Sequence, residues 1–448
     1  MLRPLTTCLL MSFIFFFISV PVYALSITEA YYLAMRNDPS YQASLLDKKA
    51  GDEYKNVGIS GFLPQLSLNY SNTPKHWQTK KTPKSDFLED HSNGKYSSQQ
   101  STVMLVQPLY DYEAYAKYKS GLAKKSISDE QFRGSHLDLA VRVINAYINV
   151  VYSRDQLHLA TAQKNSYKER LDLNQRLFGS GEGTITDVSE TQARYSLAEA
   201  ELMEAKDDYD LSVRELEMLI GGDISKYGEL NSLNQQRFYT FPLLPDSYDK
   251  WKKIALEHSP LLISLRHEID VAKYEVEASR AGFMPKVQLL ASHTDSKSSG
   301  YGAEQKYRDD RIGIEVNVPI YSGGITTALT RQAAARYGKA KHDMDAQVNR
   351  IYNLLKKDFN TCISSSTKIS AFEMAVKSAK IQVTSTKKSV MAGQRVNLDV
   401  LNAEQQLYAA QRDLAYAKYS FIKSWISLKN NAGILSEKDI HRVSELFR

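Results

Sequence analysis

A seven-residue repeat of apolar residues occurs twice in this chain, over residues 181–221 and again over 393–433. Large residues occupy every seventh position, namely Val188, Tyr195, Leu202, Tyr209 and Leu216 in the first copy and Val400, Leu407, Leu414, Phe421 and Leu428 in the second. A second row holds small residues: Ala198, Ala205 and Ser212, then Ala403, Ala410, Ala417 and Ser424. Such a repeat is typical of helices that supercoil around a neighbour, and small side chains let helix backbones approach closely. The pattern therefore predicts two long, closely packed helices.

The two copies lie 212 positions apart, and their flanking residues match in the same register. The matched pairs are Gly181 and Gly393, Asp187 and Asp399, and Gly221 and Gly433. Two unrelated amphipathic helices would give similar periodicity, but matching flanks favour an internal duplication. Shorter pieces upstream also match, Pro39 with Pro260 and Phe62-Leu63-Pro64 with Phe283-Met284-Pro285. We therefore expect one molecule built of two similar halves.

The prolines show where long helices are possible. The chain has 12 prolines, and none lies in residues 109–241 or 320–448. Proline interrupts helix interiors, so these two tracts are free to be helical. We predict one long helical hairpin over residues 111–220 and another over 322–432, each with a first helix on the order of 100 Å long.

Period-two alternation precedes each long tract. Leu66, Leu68 and Tyr70 alternate with polar residues, and so do Val287 and Leu289. Alternation of this kind gives a strand one apolar and one polar face. We predict strand pairs within 65–107 and 286–318, with Leu68, Leu289 and Ile314 on the apolar face. The polar stretches 72–100 and 295–310 are predicted to be loops at the hairpin ends, in water.

These elements divide the chain into three parts. Residues 1–24 have the charged start, apolar run and small-residue cleavage pattern of a signal peptide. Residues 25–246 form the predicted first repeat, with a helix, a strand pair, a long helical hairpin and an equatorial link. Residues 247–448 form the second repeat, which ends in a short polar tail. The predicted fold class is mostly α, with two long coiled-coil hairpins and four strands per chain.

Composition and motifs argue against several functions. The net charge of +6 is spread evenly, so a nucleic-acid partner is not expected. The only cysteines are Cys8 and Cys362, and Cys8 lies in the predicted signal peptide. The histidines do not fall at metal-ligand helical spacing. The glycine cluster at 179–183 lacks the Lys-Ser/Thr of a phosphate loop. We therefore predict no catalytic residues, no metal, no cofactor and no enzymatic activity.

Four strands are too few for a bacterial membrane barrel, which starts at eight strands. Either the strands form a small sheet, or several chains each contribute four to a closed barrel, the strand arrangement that leaves no unpaired backbone in lipid. The chain resembles the TolC family of outer-membrane efflux and secretion channels. The resemblance is carried by the duplicated proline pieces, by Ile185-Thr186-Asp187-Val188, and by the segment from Arg395 through Asp399-Val400-Leu401 to Gly433. The resemblance covers residues 25–448. It implies a homotrimer, with a 12-strand barrel in the outer membrane and a 12-helix barrel through the periplasm.

The same resemblance implies a function. Such channels are passive ducts for drugs or unfolded proteins, and they dock onto a periplasmic adaptor and an inner-membrane pump, either ABC-type or proton-driven. It places a periplasmic entrance gate at the hairpin turns, formed by Thr186, Asp187, Arg395, Asp399 and Asn402, and adaptor contacts at Gly181 and Gly393. Asn402 replaces a second acidic residue and Val390 a tyrosine, so the constriction is expected to be less negative and less tightly latched. The alternative interpretation is a periplasmic adaptor or structural coiled-coil protein without a pore.

Overall fold

The computed structural model describes residues 24–80, 92–234, 237–300 and 303–447, and the predicted signal peptide lies outside them except for its last residue. The helices are α1 (Ile27–Asn37), α2 (Pro39–Asp52), α3 (Tyr54–Ser60), α4 (Tyr112–Gly179), α5 (Ile185–Ile220), α6 (Tyr248–His258), α7 (Pro260–Arg280), α8 (Ile325–Met391), α9 (Asn397–Asn431) and α10 (Glu437–Ser444). The strands are β1 (Gln65–Lys80), β2 (Ser92–Tyr110), β3 (Lys286–Gly300) and β4 (Ala303–Asn317). The predicted fold class, mostly helical with four strands per chain, is confirmed.

Two antiparallel helix pairs, α4 with α5 and α8 with α9, form the long hairpins. The seven-residue repeat packs each return helix against its partner: Leu216 of α5 and Val400 of α9 are fully buried. Ser212 belongs to the small-residue row of α5. Its hydroxyl group lies 2.7 Å from that of Ser153 on α4, in a buried hydrogen bond that joins the two helices. The helix α4 has 68 residues, which corresponds to about 100 Å of helix.

The four strands form one antiparallel sheet in the order β1-β2-β3-β4. Leu289 pairs with Ile314 in the register of β3 and β4, so their side chains share one face of the sheet. This face is apolar and uncovered in the single chain: Leu68 is 69% exposed and Ile314 66%. Within this sheet, β1 and β4 are edge strands, and each leaves one row of backbone groups free to pair with another strand.

The two predicted polar loops are wrong for the parts that the structure describes; residues 81–91 and 301–302 lie outside the described residues. Asn72 pairs with Gln99, and Asp295 pairs with Arg308, so the strands continue through both stretches. The loop prediction rested on polarity, but backbone ladder bonds stabilise a strand whatever its side chains. Pro74 falls where the β1 register shifts, as expected for a residue without an N–H group to donate.

The segment after Gly433 differs from the polar tail predicted for it. It contains α10, whose Ile440 and Val443 are buried in the main core together with Phe447. The ring of Phe447 packs edge-on against Tyr147, 5.7 Å between centroids. Apolar residues at helical spacing bury one face of this segment although charged residues dominate its composition.

The main core lies where the long helices cross the short elements. Tyr147 of α4 is fully buried, and its hydroxyl donates a hydrogen bond to the carbonyl oxygen of Leu25 at 2.7 Å. A second cluster surrounds Trp251 between α6 and α8. Among the helices that the structure describes, none is both long enough and apolar enough to cross a bilayer.

Candidate functional site at the hairpin turns

The two hairpin turns have the same backbone geometry. Gly181 and Gly393 both adopt left-handed backbone angles, with φ of 79° and 72°. In each turn the amide three residues past the last helical residue donates back to the last helical turn: Glu182 N to Leu177 O at 2.9 Å, and Gln394 N to Ser389 O at 2.9 Å. This is the usual way for a glycine to end a helix and reverse the chain. Gly181 and Gly393 therefore lie at the ends of the two hairpins.

The predicted gate residues lie close to these turns, and the contacts that they form among the described residues at the turns stay within one hairpin. Thr184 caps α5, and its hydroxyl donates to Oδ2 of Asp187 at 2.6 Å. Thr186 is exposed beside it. On the second hairpin, Arg395 Nη1 lies 4.0 Å from Oδ2 of Asp399 in the same turn of chain. Among the described residues, Arg395 has no ion pair with Asp187, and the latch between the two hairpins stays a prediction.

Asn402 lies one helical turn past Asp399 on α9 and makes a contact that the sequence did not predict. Its side-chain oxygen accepts a hydrogen bond from Nη2 of Arg194 at 3.2 Å, while Nη1 of the same guanidinium donates to Oε1 of Gln405 at 2.6 Å. Arg194 is on α5 and both acceptors are on α9, so one arginine joins the two hairpins. Val390, at the position expected to carry a tyrosine, contributes its carbonyl oxygen to the turn by accepting from Gly393 N at 3.0 Å.

Further polar contacts join the hairpins, including one from Nη1 of Arg170 to Oδ1 of Asn397 at 3.4 Å. Asn397 Nδ2 donates to Oδ1 of Asn174 at 3.0 Å, and Asn174 is itself buried and donates to Thr191 at 2.8 Å. Glu404 is only 3% exposed, and its carboxylate accepts from Ser166 of the first hairpin at 3.1 Å; it also pairs with Lys387, on α8 of its own hairpin, at 2.7 Å. A buried carboxylate needs such partners, because an unpaired charge in the interior is costly.

We call this set of contacts the hairpin junction; its polar members are Ser166, Arg170, Asn174, Arg194, Lys387, Asn397, Asn402, Glu404 and Gln405. A small apolar cluster of Tyr167, Ala198 and Leu401 lies among them. The sequence analysis did not find the junction. Its one signal in the sequence is Glu404, a charged residue directly after Ala403 of the small row.

The side chains of this site can hold helices in position and present charged groups at the turns. The described residues contain no group of three or more His, Cys, Asp or Glu side chains arranged to hold a metal ion. Polar bonds join neighbouring helices, and charged and hydroxyl groups stand exposed at the turns. Contacts of this kind can hold helix ends together or release them.

Long paired hairpins below a four-stranded sheet define the subunit of an outer-membrane channel, and solved structures of such proteins share this fold. The Campylobacter jejuni CmeC outer membrane channel matches with a TM-score of 0.76 at 16% identity, covering 94% of this chain and 90% of that one. The outer membrane protein VceC of Vibrio cholerae matches with a TM-score of 0.74 at 17% identity, covering 91% and 96%.

The model of the outer membrane efflux protein family matches residues 30–222 and 251–433, and the chain belongs to this family. It is 45% identical to the alkaline protease secretion protein AprF of Pseudomonas aeruginosa, over 95% of this chain and 88% of that protein. It is 36% identical to the proteases secretion protein PrtF of Dickeya chrysanthemi, over 95% and 92%. It is 28% identical to the outer membrane protein TolC of Vibrio cholerae, over 95% of each.

These findings confirm the predicted TolC-family assignment. The protein is an outer-membrane export channel of a Gram-negative bacterium that extends into the periplasm. The alternative of an adaptor or coiled-coil protein without a pore is not supported.

Proposed function

We propose that this chain is the outer-membrane channel of a type I secretion system whose cargo is an extracellular protease. The observation that carries the proposal is the 45% identity to a protein named for alkaline protease secretion, over 95% of this chain. The 36% identity to a second protein named for protease secretion adds to it. Of the two kinds of pump considered from the sequence, protein export favours the ABC type, joined to the channel by a periplasmic adaptor.

The proposed assembly is a homotrimer of chains that each contain two repeats, 25–246 and 247–448. The support is physical. A sheet with two free edges and an apolar face cannot remain open in lipid, where unpaired backbone groups are costly. Four strands are also too few to close a barrel alone, whereas three chains supply 12. The six long hairpins of the same three chains would then form the periplasmic tunnel.

We assign the entrance of this tunnel to the hairpin turns. Thr186, Asp187, Arg395 and Asp399 would form its gate between copies, and Asn402 would act from the hairpin junction. The exposed turns at Gly181 and Gly393 would contact the adaptor. We propose no catalytic role for this protein, because the inner-membrane pump drives the cargo and the channel is a passive duct.

Deletion of the gene tests the cargo. We expect protease activity to disappear from the culture medium, and plasmid-borne expression of this chain to restore it. The susceptibility of the same strains to dyes and detergents is measured in parallel. Unchanged protease secretion together with raised drug susceptibility would contradict the protease assignment and favour drug efflux.

A further inference from the structure

The end of the sheet at which β3 turns into β4 is its outer end. β3 follows α7 and β4 leads into α8, so Gly300 and Ala303, which pair beside the turn, lie at the end of the sheet away from the helices. Because the channel extends from the outer membrane into the periplasm, this end faces the outside of the cell. The paired rows of β3 and β4 therefore cross the outer membrane in order, starting from Val287 and Val316.

The apolar face of β3 and β4 carries three charged rows on the outer side of its apolar part. From the inside outwards these rows are His293 opposite Asp310, Asp295 opposite Arg308, and Lys297 opposite Lys306. In the first two rows the charges balance each other. Nε of Arg308 donates to Oδ1 of Asp295 at 3.0 Å, and His293 is hydrogen-bonded to both aspartates.

The third charged row lacks this balance. Lys297 and Lys306 stand directly opposite each other, where Cβ atoms lie about 5 Å apart and like charges are destabilising. The same row continues on β2 and β1 with Gln99 and Asn72, which are neutral. Among the described residues, the only ion pair of this row joins Nζ of Lys306 to Oε1 of Glu304 at 3.9 Å, with both side chains more than half exposed. The row therefore has two ammonium groups and one distant carboxylate.

The opposite face of the same strands is neutral at these levels. There Ser296 pairs with Tyr307, and Ser298 pairs with Gln305. Lysines that serve only to keep a strand hairpin soluble would do so on either face. Here both lysines lie on the face of Ile314, which is the face that meets lipid in the proposed barrel. Their position therefore indicates a role at the lipid surface.

The outer leaflet of a Gram-negative outer membrane presents an anionic partner at this height. It is built largely of lipopolysaccharide, and the sugars of its lipid A headgroup carry phosphate groups. The lysine row lies about 13 Å along the tilted strands beyond the first charged row. Lysine and arginine side chains can extend back towards a headgroup while their stems lie on apolar surface. Phosphate oxygens accept charge-assisted hydrogen bonds from both kinds of side chain, and basic sites at membrane surfaces bind anionic headgroups.

We propose that Lys297, Lys306 and Arg308 bind a phosphate group of lipopolysaccharide at the outer rim of the barrel. The phosphate lies between the two opposed ammonium groups and removes their repulsion. Arg308 adds its Nη groups, since Nε is the atom that bonds Asp295. The acyl chains of the same lipid lie along the exposed apolar part of β4, where Ile312 is 79% exposed. This proposal goes beyond the proposed function, because it does not depend on the cargo.

Native mass spectrometry of the purified, delipidated full-length protein in detergent tests the proposal. The probe is hexa-acylated lipid A with two phosphates, and the comparison probes are the same lipid without phosphates and inorganic phosphate. EDTA is present, so that no divalent cation joins a carboxylate to a phosphate. Bound lipid is counted per chain, which makes the result independent of the number of chains in the assembly.

Three double variants are compared with the wild type. Lys297→Gln with Lys306→Gln removes both ammonium groups, and Lys297→Arg with Lys306→Arg keeps both charges. The matched control is Lys368→Gln with Lys377→Gln, which removes two exposed lysines of α8 that form no ion pair among the described residues.

We expect the glutamine variant at 297 and 306 to bind lipid A at least about tenfold more weakly, because two charge-assisted contacts are lost. The arginine variant should bind within about twofold of the wild type or more tightly, since a guanidinium also binds phosphate. The α8 control should match the wild type. Lipid A without phosphates should bind the wild type at least about tenfold more weakly than the phosphorylated form.

Three results would overturn the proposal. They are equal binding of lipid A by the glutamine variant and the wild type, equal binding of the two lipids by the wild type, and inorganic phosphate bound as tightly as lipid A. The last result would mean a site for free anions. None of these measurements involves protease, so a different cargo would contradict the proposed function and leave these expectations unchanged.

Discussion

Position 402 makes a contact in the structure that the sequence did not predict. The family resemblance puts Asn402 at the constriction, yet its side-chain oxygen accepts from Arg194 at 3.2 Å across the two hairpins. An aspartate there would add a negative charge, whereas the asparagine forms a neutral acceptor for a guanidinium. The amide oxygen thus takes part in the hairpin junction, and the role of Asn402 at the gate stays a prediction.

Two glycines at equivalent places in helix-ending turns give a prediction about stability. Gly393 and Gly433 have φ of 72° and 73°, but an added Cβ at Gly393 meets nothing within 4 Å, whereas at Gly433 it would lie 2.1 Å from the carbonyl oxygen of His258. Left-handed backbone alone costs an alanine about 1–2 kcal/mol. We expect Gly393→Ala to cost about that much, and Gly433→Ala about 3 kcal/mol or more, because α6 must also move.

Urea unfolding of the detergent-solubilised protein, followed by circular dichroism at helix wavelengths, measures both variants. Gly393→Ala is the matched control, since it shares the backbone strain without the overlap. Equal losses of stability in the two variants would show that the end of α6 does not press against Gly433.

Asp358 gives a prediction about pH. Burial raises the pKa of its carboxyl group, although Ser427 and Asn431 donate hydrogen bonds to it at 2.6 and 3.1 Å. A raised pKa means that folding disfavours the charged form, so stability is lost as pH rises through the folded-state pKa. Asp358→Asn removes this loss, and its stability relative to the wild type should increase from pH 4 to pH 8.

Thermal unfolding at several pH values measures the Asp358 effect. Asp345→Asn on the same helix is the control, because the Asp345 side chain is 77% exposed. A difference between Asp358→Asn and the wild type that stays constant with pH would contradict the burial argument.

At the scale of elements, the strands are longer than their apolar part. On the apolar face, Leu289 opposite Ile314 and Ala291 opposite Ile312 are followed by His293 opposite Asp310. The side chains of His293 and Asp310 are hydrogen-bonded to each other on that exposed face. On β3 and β4 the apolar run therefore ends at this level, whereas the same row still holds Leu68 on β1 and Val103 on β2.

Arginine substitutions at neighbouring positions of β3 test which face meets lipid. Leu289 shares the apolar face with Ile314, and Gln288 pairs with Glu315 on the opposite face. An arginine near the bilayer midplane of a barrel costs roughly 2–4 kcal/mol on the lipid face and much less on the lumen face. We expect Leu289→Arg to reduce the amount of protein assembled in outer membranes, and Gln288→Arg to leave it nearly unchanged, by immunoblotting of membrane fractions. Equal assembly of the two variants would show that the faces are assigned wrongly.

At the scale of the whole molecule, a prediction about the entrance rests on the proposed trimer. Arg395 and Asp399 are both partly exposed at the second turn, and their side chains lie 4.0 Å apart. An exposed ion pair is worth about 0–1 kcal/mol, but a contact of Arg395 with a neighbouring hairpin, repeated three times around the axis, would multiply its effect on the closed state. We expect Arg395→Ala to raise single-channel conductance in planar bilayers, and Asp399→Asn to weaken cation selectivity and block by multivalent cations.

Arg412→Ala is the control for these channel measurements. Arg412 is a similarly exposed arginine on α9, well away from the turn, and it should leave both conductance and selectivity unchanged. If both turn variants also behaved like the wild type, the turns would not be the narrowest point of the channel.

Repeats, prolines and glycines in the sequence were sufficient to predict both long hairpins, both strand pairs and the turns at Gly181 and Gly393. Those features follow from local rules, because the period of apolar residues and the backbone limits of proline and glycine act over a few residues. The hairpin junction could not be predicted in this way: Asn174 and Asn397 are separated by 223 positions, and neither position breaks the local pattern. The ends of the strands and the burial of α10 were missed for a related reason, since ladder bonds and packing partners come from distant parts of the chain and override local polarity.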